Sequence, residues 1–598
     1  MLLKRILLIV FIVFASLVCF SQTQNDLQLA YSYYNSGEYE KSSVLFEDLF
    51  QKTKSRTYFV YFINSLLKTE NYDKAEKVVK KQISNYKNDI TYKIILGYVY
   101  KNENLLDKSE TIYNEVLSGL KPERGQIIQC YNQFLSLSEG EWCEKILLKG
   151  RDLTGENFNS ELFSLYVSTR NQKKMVSTGL DLLDEDPEKA INVQSMFQYF
   201  VNNDINNEFY DILRLSILQR LQKTPSTQLS ELLIWLFVQK KNFKSAAIQA
   251  KALDKRLSEQ GQRLIILADE AIKVKDYDAA YDCYSYVVDK GKSVQYYKRA
   301  VFGVLSTLFY RVENGTITDS SEIFALESRY EKTFEEFGIN NQIIGEVKNY
   351  SDLETYYLNN PEKAKAMIEQ TLKLPSVSYS QKAQLNLALG EIELFMNDVW
   401  GSTMTFAKVE NDNKQNEYGD MAKLMKAKIA YYTGNFKWAA SQLDVMKSAT
   451  SKLVANDAME LSLLIADNSD SLTVLEIYAR GDMYFSQNQF VKSNASLDSI
   501  ISQYPSSSLV DECYFLKAKI SERQKDWQTA ALYYKKVSDE YSFDVLADKA
   551  SYKYAEISAF RLSDPESAKE YYMKILTDYP GSVFAVDSRE KYRELDKQ

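Results

Sequence analysis

The sequence repeats itself every 33 to 37 residues, and this periodicity restricts the fold more than any other feature. A small or apolar residue is followed by Ala or Ser 12 positions later, and by an aromatic or apolar residue four positions beyond, as in Gly97, Ser109 and Tyr113. The pattern starts at Ala30, Ile63, Gly97, Ile234, Ala268, Gly390, Ala427, Gly481 and Ala518. Between Gly97 and Ile234 there is room for three more degenerate repeats. A unit of this length must stack on its neighbours to bury an apolar face.

Composition indicates that the stacked unit is helical. The chain has 20 Gly and 8 Pro in 598 residues, well below average usages of about 7% and about 5%. A long chain with so few turn-forming residues is mostly helix, which disfavours sandwiches and barrels. We therefore predict an all-α fold.

The repeat resembles the tetratricopeptide repeat, whose unit of about 34 residues is a pair of antiparallel helices. The residues that carry the resemblance are Phe46, Ala75, Leu96, Gly97, Tyr100, Tyr113, Ala280, Tyr284, Pro505, Ala530, Tyr534 and Pro580. The resemblance implies an all-α, right-handed α-solenoid superhelix of stacked antiparallel helix pairs. The small residue and the Ala let the two backbones approach closely, and the aromatic residue fills the gap to the next pair.

Breaks in the repeat spacing predict the organisation of the chain. We predict a signal peptide over 1–21, an N-terminal solenoid over 22–302 and an irregular helical connector over 303–375, which contains a long helix over 320–337. A repeat pair with an extra helix then occupies 376–470, and a C-terminal repeat segment occupies 471–598.

The first 21 residues predict export. Lys4 and Arg5 precede an apolar run of 13 residues, which is too short to span a bilayer comfortably. Cleavage before Gln22 and lipidation at Cys19 are both open. No other stretch reaches 18 uncharged apolar residues, so we expect no transmembrane segment in the mature chain. The expected location is the periplasm or the periplasmic face of the outer membrane.

The C-terminal repeats carry a further resemblance. Tyr504-Pro505 and Tyr579-Pro580 each close a second helix and are followed by Ser two or three positions from the Tyr. These junctions, with a 37-residue step between Gly481 and Ala518, are similar to repeats of bacterial envelope proteins, such as the barrel-assembly lipoprotein and the Tol–Pal coordinator. The resemblance implies a partner protein in the envelope and possible peripheral association with the outer membrane.

Composition also excludes several kinds of chemistry. The chain has no His, so Ser-His-Asp catalysis and His-ligated metal sites are impossible. A net charge of −8 gives no basic surface for nucleic acid. We expect no cofactor and no metal. Four Cys follow the signal peptide, and Cys130 and Cys143 either form a bridge in an oxidising compartment or remain buried thiols.

The groove that such repeats build offers the candidate binding residues. The first helices should present Tyr31, Tyr34, Asn35, Asn64, Lys68, Tyr98, Lys101 and Asn102. The alternative for each tyrosine is that it packs between repeats. The same face of the C-terminal repeats should carry Asp482, Phe485, Glu512, Lys519, Glu522 and Arg523.

These observations favour a non-catalytic scaffold of the bacterial envelope, which binds partner peptides or helices within an outer-membrane assembly or secretion complex. The alternative is a carboxylate-dependent envelope hydrolase, for which Glu391 with Glu393, or Asp398, are the candidate acids. A regulator of a cytoplasmic partner is a third hypothesis, against which the export signal argues. We expect no enzyme activity.

Overall fold

The computed structural model describes residues 25–185, 187–414, 416–446 and 452–596. Within these ranges the chain forms 32 α-helices, one short 3-10 helix and no β-strand. The predicted all-α solenoid is confirmed. The predicted signal peptide, with Cys19 and the cleavage position, lies outside the described residues. The chain divides into two compact units, residues 1–242 (unit 1) and 243–598 (unit 2).

Unit 1 contains thirteen of the helices described. They are α1 (25–35), α2 (Tyr39–Thr53), α3 (Arg56–Lys68), α4 (Tyr72–Asn85), α5 (Thr91–Asn102), α6 (Leu106–Ser118), α7 (Arg124–Ser136), α8 (Gly140–Thr154), α9 (Asn159–Ser168), α10 (Gln172–Glu185), α11 (Ala190–Asn202), α12 (Glu208–Lys223) and α13 (Thr227–Gln239), with the 3-10 helix at Pro187–Lys189. The three repeats expected between Gly97 and Ile234 are the pairs α7/α8, α9/α10 and α11/α12.

Unit 2 contains the other helices. They are α14 (Phe243–Leu257), α15 (Gln262–Lys273), α16 (Tyr277–Asp289), α17 (Tyr297–Glu313), α18 (Ser320–Phe337), α19 (Ile344–Tyr356), α20 (Pro361–Leu372), α21 (Tyr379–Phe395), α22 (Val399–Asp412), α23 (Glu417–Tyr432), α24 (Phe436–Met446), α25 (Lys452–Asp467), α26 (Leu472–Ser486), α27 (Phe490–Gln503), α28 (Val510–Arg523), α29 (Trp527–Glu540), α30 (Ala547–Phe560), α31 (Pro565–Asp578) and α32 (Ala585–Leu595). The long helix expected over 320–337 is α18. The boundaries predicted at 22, 303, 376 and 471 stay predictions.

The turn inside a helix pair explains how the chain folds with so few glycines. Lys275 has φ 64° and Lys525 has φ 62°, so both adopt the left-handed conformation that ends the first helix. The next residue caps the second helix: the side chains of Asp276 and Asp526 accept hydrogen bonds at 3.1 Å from the backbone N–H three residues later. Three residues separate the two helices in each of these turns, and none of them is Gly or Pro.

Close contact between a small residue and an aromatic ring holds the helix pairs together. A Cβ placed on Gly390 of α21 would lie 2.7 Å from Cζ of Phe406 on α22. Gly97 and Tyr113 form the same contact in unit 1. Tyr284 instead packs against Gly303, which belongs to the following pair. The ring therefore fills the space within a pair as well as the gap between pairs.

Serine at the twelfth position adds a hydrogen bond to this contact. The hydroxyl of Ser402 donates to the carbonyl oxygen of Gly390 at 2.7 Å, and Ser493 donates to Gly481 over the same distance. Both serines are fully buried. The spacing that defines the repeat thus places a donor against a helix backbone.

The four cysteines of the described chain are buried free thiols, Cys130, Cys143, Cys283 and Cys513. Of the two alternatives for Cys130 and Cys143, the structure has the unbridged one. Burial raises the pKa of each thiol to about 12, so both remain protonated and unreactive at neutral pH. No helix among the described residues combines the length and apolar character needed to cross a membrane.

Replacing Gly390 by Ala should destabilise unit 2 by about 1–3 kcal/mol, because the new methyl group overlaps the Phe406 ring. Gly345 is the matched control, since nothing lies within 4 Å of a Cβ there. Gly345→Ala should be neutral or stabilising by up to about 1 kcal/mol. Thermal unfolding of the full chain, followed by circular dichroism, compares the two variants. Equal midpoints would contradict the packing role of Gly390.

Candidate functional site

Three of the predicted groove tyrosines lie on one aromatic surface of unit 1. The rings of Tyr31 and Tyr34 both contact Tyr61 edge-on, with centroids 5.0 Å apart in each case. Tyr98 lies close enough to contribute to the raised pKa of Tyr34, which burial raises most. The structure therefore brings Tyr31, Tyr34 and Tyr98 together, and it adds Tyr61. Tyr61 is not among the residues predicted from the sequence.

The polar residues predicted for the groove differ in their exposure and in their hydrogen bonds. Asn35 and Lys68 are exposed, and Asn64 is half-buried. Asn102 donates a hydrogen bond of 2.8 Å to the carbonyl oxygen of Tyr98 in its own helix. These positions leave Asn35, Asn64 and Lys68 as the residues with polar atoms available to a partner on this surface.

Lys101 has a partner within the protein. Its Nζ lies 2.8 Å from both carboxylate oxygens of Glu139, which is buried just before α8. An ion pair that holds a buried carboxylate is expensive to break. Lys101 therefore helps to hold the helix pair α5/α6 against the following pair α7/α8.

Unit 2 has a more strongly charged surface, formed by its first helices. We define the inner face as the charged residues of α19, α21, α23, α26 and α28 that influence one another's charge state. They are Lys348, Asp352, Glu391, Lys428, Asp482, Lys519 and Arg523. All are half-buried except Arg523, which is exposed. Four cations and three carboxylates thus share one half-buried surface.

Contacts between helices far apart in sequence enclose the inner face. The side chain of Asn488, after α26, donates to the carbonyl oxygen of Tyr356 at 3.1 Å. Gln487 donates to the carbonyl oxygen of Leu394 at 3.0 Å. Arg523 lies near enough to Tyr357 to oppose the burial that raises the pKa of this tyrosine to about 12. First helices from non-neighbouring pairs therefore face one another in unit 2.

Glu391 is a carboxyl group of the inner face with a raised pKa, and it lies near a second carboxylate. Burial, together with the negative charge of Asp352, raises the pKa of Glu391 to about 7. Asp352 forms an ion pair with Lys348, at 2.6 Å. Lys348 and Lys428 both favour the charged form of Glu391, but burial outweighs them. At neutral pH Glu391 is thus a carboxyl group close to its titration midpoint.

Two cations of the inner face have no ionic partner among the described residues. Lys519 and Arg523 form no ion pair with any residue in the described ranges. Burial lowers the pKa of Lys519, and the nearby Lys428 and Arg523 lower it further, while Asp482 opposes them. The Nζ of Lys519 lies 4.8 Å from the centre of the Phe485 ring, within the range of a cation–π contact.

The remaining residues predicted for this face have other contacts. Glu522 accepts a hydrogen bond of 3.0 Å from the Tyr534 hydroxyl. Glu512 lies beside Asp511, and burial with this neighbouring carboxyl raises its pKa. Of the six predicted residues, the structure brings Asp482, Phe485, Lys519 and Arg523 together.

The carboxylates considered for hydrolysis do not form an acid–base pair. Glu391 lies on the inner face, whereas Glu393 pairs with Lys365 at 3.0 Å and accepts from Thr405 at 2.7 Å. Residues two apart on a helix point in nearly opposite directions, so Glu391 and Glu393 cannot act on one bond. Asp398 caps α22, accepting from the N–H of Gly401 at 2.8 Å.

One cluster of acids has the geometry of a metal site. Carboxylate oxygens of Glu327, Glu331 and Glu354 lie within 4.8 Å of one another. Lys363 forms ion pairs with all three, at 2.8 Å to Glu331 and Glu354. The lysine ammonium supplies the positive charge that a metal ion would bring, so the cluster is a structural ion-pair network.

Comparison with known families locates one repeat. Residues 549–582, which include most of α30 and all of α31, match the tetratricopeptide repeat family. The match covers this one helix pair of the chain. No curated protein matches the sequence.

Several solved structures resemble the chain at low identity. "Structure of Naa15/Naa10 bound to HypK-THB" has 12% identity and a TM-score of 0.24, covering 96% of each chain. A tetratricopeptide repeat protein from Parabacteroides merdae has 14% identity and a TM-score of 0.28, covering 52% of this chain and 98% of that one. The APC/C hetero-tetramer Cut9-Hcn1 has 9% identity and a TM-score of 0.23, covering 94% and 95%. Because these TM-scores lie below 0.5, the three structures inform neither the shape nor the function of this chain.

Replacing Glu391 by Gln should flatten the pH dependence of stability. The unfolded chain releases this proton near the ordinary carboxyl pKa of about 4.3, whereas the folded chain keeps it to about 7. Between these values the folded state binds more protons, so wild-type stability falls as pH rises. The slope is on the order of 1 kcal/mol per pH unit, and Gln removes it.

Thermal midpoints of the full chain at about pH 5 and about pH 7.5 measure this effect. Glu369→Gln, which changes an exposed carboxylate on α20, is the control and should behave as wild type. If wild type and Glu391→Gln lose the same stability between the two pH values, Glu391 does not carry a raised pKa.

Proposed function

We propose that this protein is a non-catalytic scaffold that binds a segment of a partner protein on the inner face of unit 2. The observation that carries the proposal is that Lys519 and Arg523, on a charged and partly enclosed surface, form no ion pair with the described residues. Lys519 is half-buried, and a half-buried cation without an ionic partner gains more from an incoming carboxylate than an exposed one, because the local dielectric constant is lower.

The charges of the inner face define the kind of segment that fits. Acidic side chains of the partner pair with Lys519 and Arg523, while basic ones pair with Asp352 and Glu391. A segment with charges of both signs is held in one register, because a shifted register opposes like charges. The ring of Phe485 offers apolar contact at the same place.

The aromatic surface of unit 1 supplies a second contact area within the same proposal. Tyrosine gives large, rigid contacts with little loss of conformational entropy. Tyr31, Tyr34, Tyr61 and Tyr98 pack against their own repeats, yet all four are only half-buried. Their remaining surface, with Asn64 and Lys68, suits an extended peptide.

We further propose that the scaffold works in the bacterial envelope, in the periplasm or at the periplasmic face of the outer membrane, within an assembly or secretion complex. Support comes from the sequence alone: the signal-like residues 1–21 and the Tyr-Pro junctions of the C-terminal repeats. Cell fractionation of a C-terminally tagged chain tests this context. Recovery in the cytoplasm would contradict it.

Crosslinking in intact cells, followed by pull-down of the tagged full chain and mass spectrometry, tests the binding function. We expect one stoichiometric partner whose crosslinks map to the inner face of unit 2. A wild-type chain recovered without any partner would contradict the scaffold proposal.

Charge reversal at the inner face should reduce capture of that partner about tenfold. The test variant combines Lys519→Glu with Arg523→Glu, which turns two attractions into repulsions. The matched control combines Lys408→Glu with Lys437→Glu, which reverses two exposed lysines on the second helices α22 and α24. Capture that falls equally in both variants would show that only the overall charge matters.

A further inference from the structure

A cavity of about 500 Å³ opens between the first helices of three successive pairs in unit 2. Its residues come from α15, α17 and α19, with one tyrosine from α16. This volume lies in the range of small-ligand sites. None of the charged residues that define the inner face lines this cavity.

Two of the three acids that line the cavity are already neutralised. Asp269 pairs with Arg299 at 3.0 Å and also accepts a hydrogen bond from the Tyr284 hydroxyl. Glu270 pairs with Lys273 at 2.6 Å. Both cations of the cavity are therefore used by these acids.

Glu346 is the third acid, and it forms no ion pair with any residue that the structure describes. The side chain is 7% exposed. Its Oε1 accepts a hydrogen bond from Ser306, whereas Oε2 accepts none from any residue in the described ranges. A buried carboxylate with one oxygen unsatisfied is costly, and a cation that reaches it removes the cost.

The raised pKa of Glu346 agrees with a buried carboxylate that has one unsatisfied oxygen. Burial raises its pKa to about 7, although Ser306, Tyr330, Asn349 and Arg299 all favour the charged form. Tyr310 is the other titratable group of α17 near it, and its own pKa is raised by burial and by Glu346. No neighbour fully replaces a counter-ion.

The walls of the cavity suit the apolar stem of a long cationic side chain. Ile266 is 56% exposed at the mouth. Phe302 and Tyr310 line the interior. Methylene groups can pack on such walls while the charged head reaches a carboxylate, and the aromatic rings attract the cation.

We propose that this cavity binds the side-chain guanidinium or ammonium group of an Arg or Lys from the partner protein, with Glu346 as its counter-ion. The source of the side chain rests on the proposed scaffold function; the chemistry of the cavity does not. A divalent metal fits less well, since it requires several oxygen ligands and only one carboxylate is unpaired.

The direct test measures binding of N-acetyl-arginine methylamide to the full chain by calorimetry at neutral pH. The citrulline analogue, which has the same shape and no charge, is the control ligand. We expect the arginine probe to bind, with release of protons from Glu346 detected as a dependence on the ionisation enthalpy of the buffer. Equal binding of both ligands, or no binding of the arginine probe, would overturn the proposal.

Two variants assign the binding to this cavity. Glu346→Gln should weaken the arginine probe about tenfold or more and abolish proton release. Ile266→Arg, at an exposed position, should block the mouth with a cation of its own. Glu335→Gln removes an exposed carboxylate of α18 and should change nothing. If Glu346→Gln fails to fold, Ile266→Arg decides, and an unchanged probe affinity in that variant overturns the proposal.

Capture of the partner separates this inference from the scaffold proposal. Loss of capture in Ile266→Arg, with the arginine probe bound by wild type, supports a partner side chain in the cavity. Full capture in Ile266→Arg shows that the partner does not use the cavity, while the scaffold proposal stands. If the arginine probe binds but no partner is captured, the cavity is a site for a free cation. That outcome overturns the proposal that the cation is a side chain of a partner protein.

Discussion

The contact between a glycine or alanine on one helix and an aromatic ring on another determines how closely the helices of this solenoid pack. Where Gly390 meets Phe406, or Gly97 meets Tyr113, a single added methyl group would overlap the ring. The ring is fully buried in both cases. Because helix pairs stack on one another within each unit, an error in one spacing is passed to the neighbouring pairs. The serine hydroxyl donating to the carbonyl oxygen of Gly390 fixes the same contact from the backbone side.

This arrangement leaves part of the surface of the first helices outside the hydrophobic core. The core is built from residues that face the second helix or the next pair, such as Ala427 and Tyr431. Lys428 and Glu391 therefore do not have to be apolar, and the inner face collects charges that an ordinary globular core would exclude. Glu346 shows the same freedom at the cavity between α17 and α19, where a buried carboxylate persists with one oxygen unsatisfied. The proposed binding surfaces therefore consist of residues that the hydrophobic core does not use.

The predictions from the sequence agree with the structure where the interacting residues lie close together in the chain. The helix at Ser320–Phe337 and the three degenerate repeats after Gly97 were predicted because their signals lie within one repeat. The tyrosines 31, 34 and 98 were placed on one face for the same reason. Tyr61 was not selected, because its contact with two other tyrosines depends on the angle between neighbouring pairs. The pairing of Lys101 with Glu139 was missed as well, since it joins positions 38 residues apart.

The carboxylates show most clearly what the sequence alone does not predict. The short spacing between Glu391 and Glu393 in the sequence suggests a possible acid–base pair. In the structure the two side chains have different neighbours, and Glu391 lies near Asp352. The sequence by itself determined an all-α repeat protein, its repeat length and the close contacts inside each pair, because these depend on residues within about one repeat. Only the tertiary structure decided which charges share the inner face, and that Glu346 lines a cavity without an ion pair to any described residue. Those relations join side chains from several helix pairs, and no local spacing encodes them.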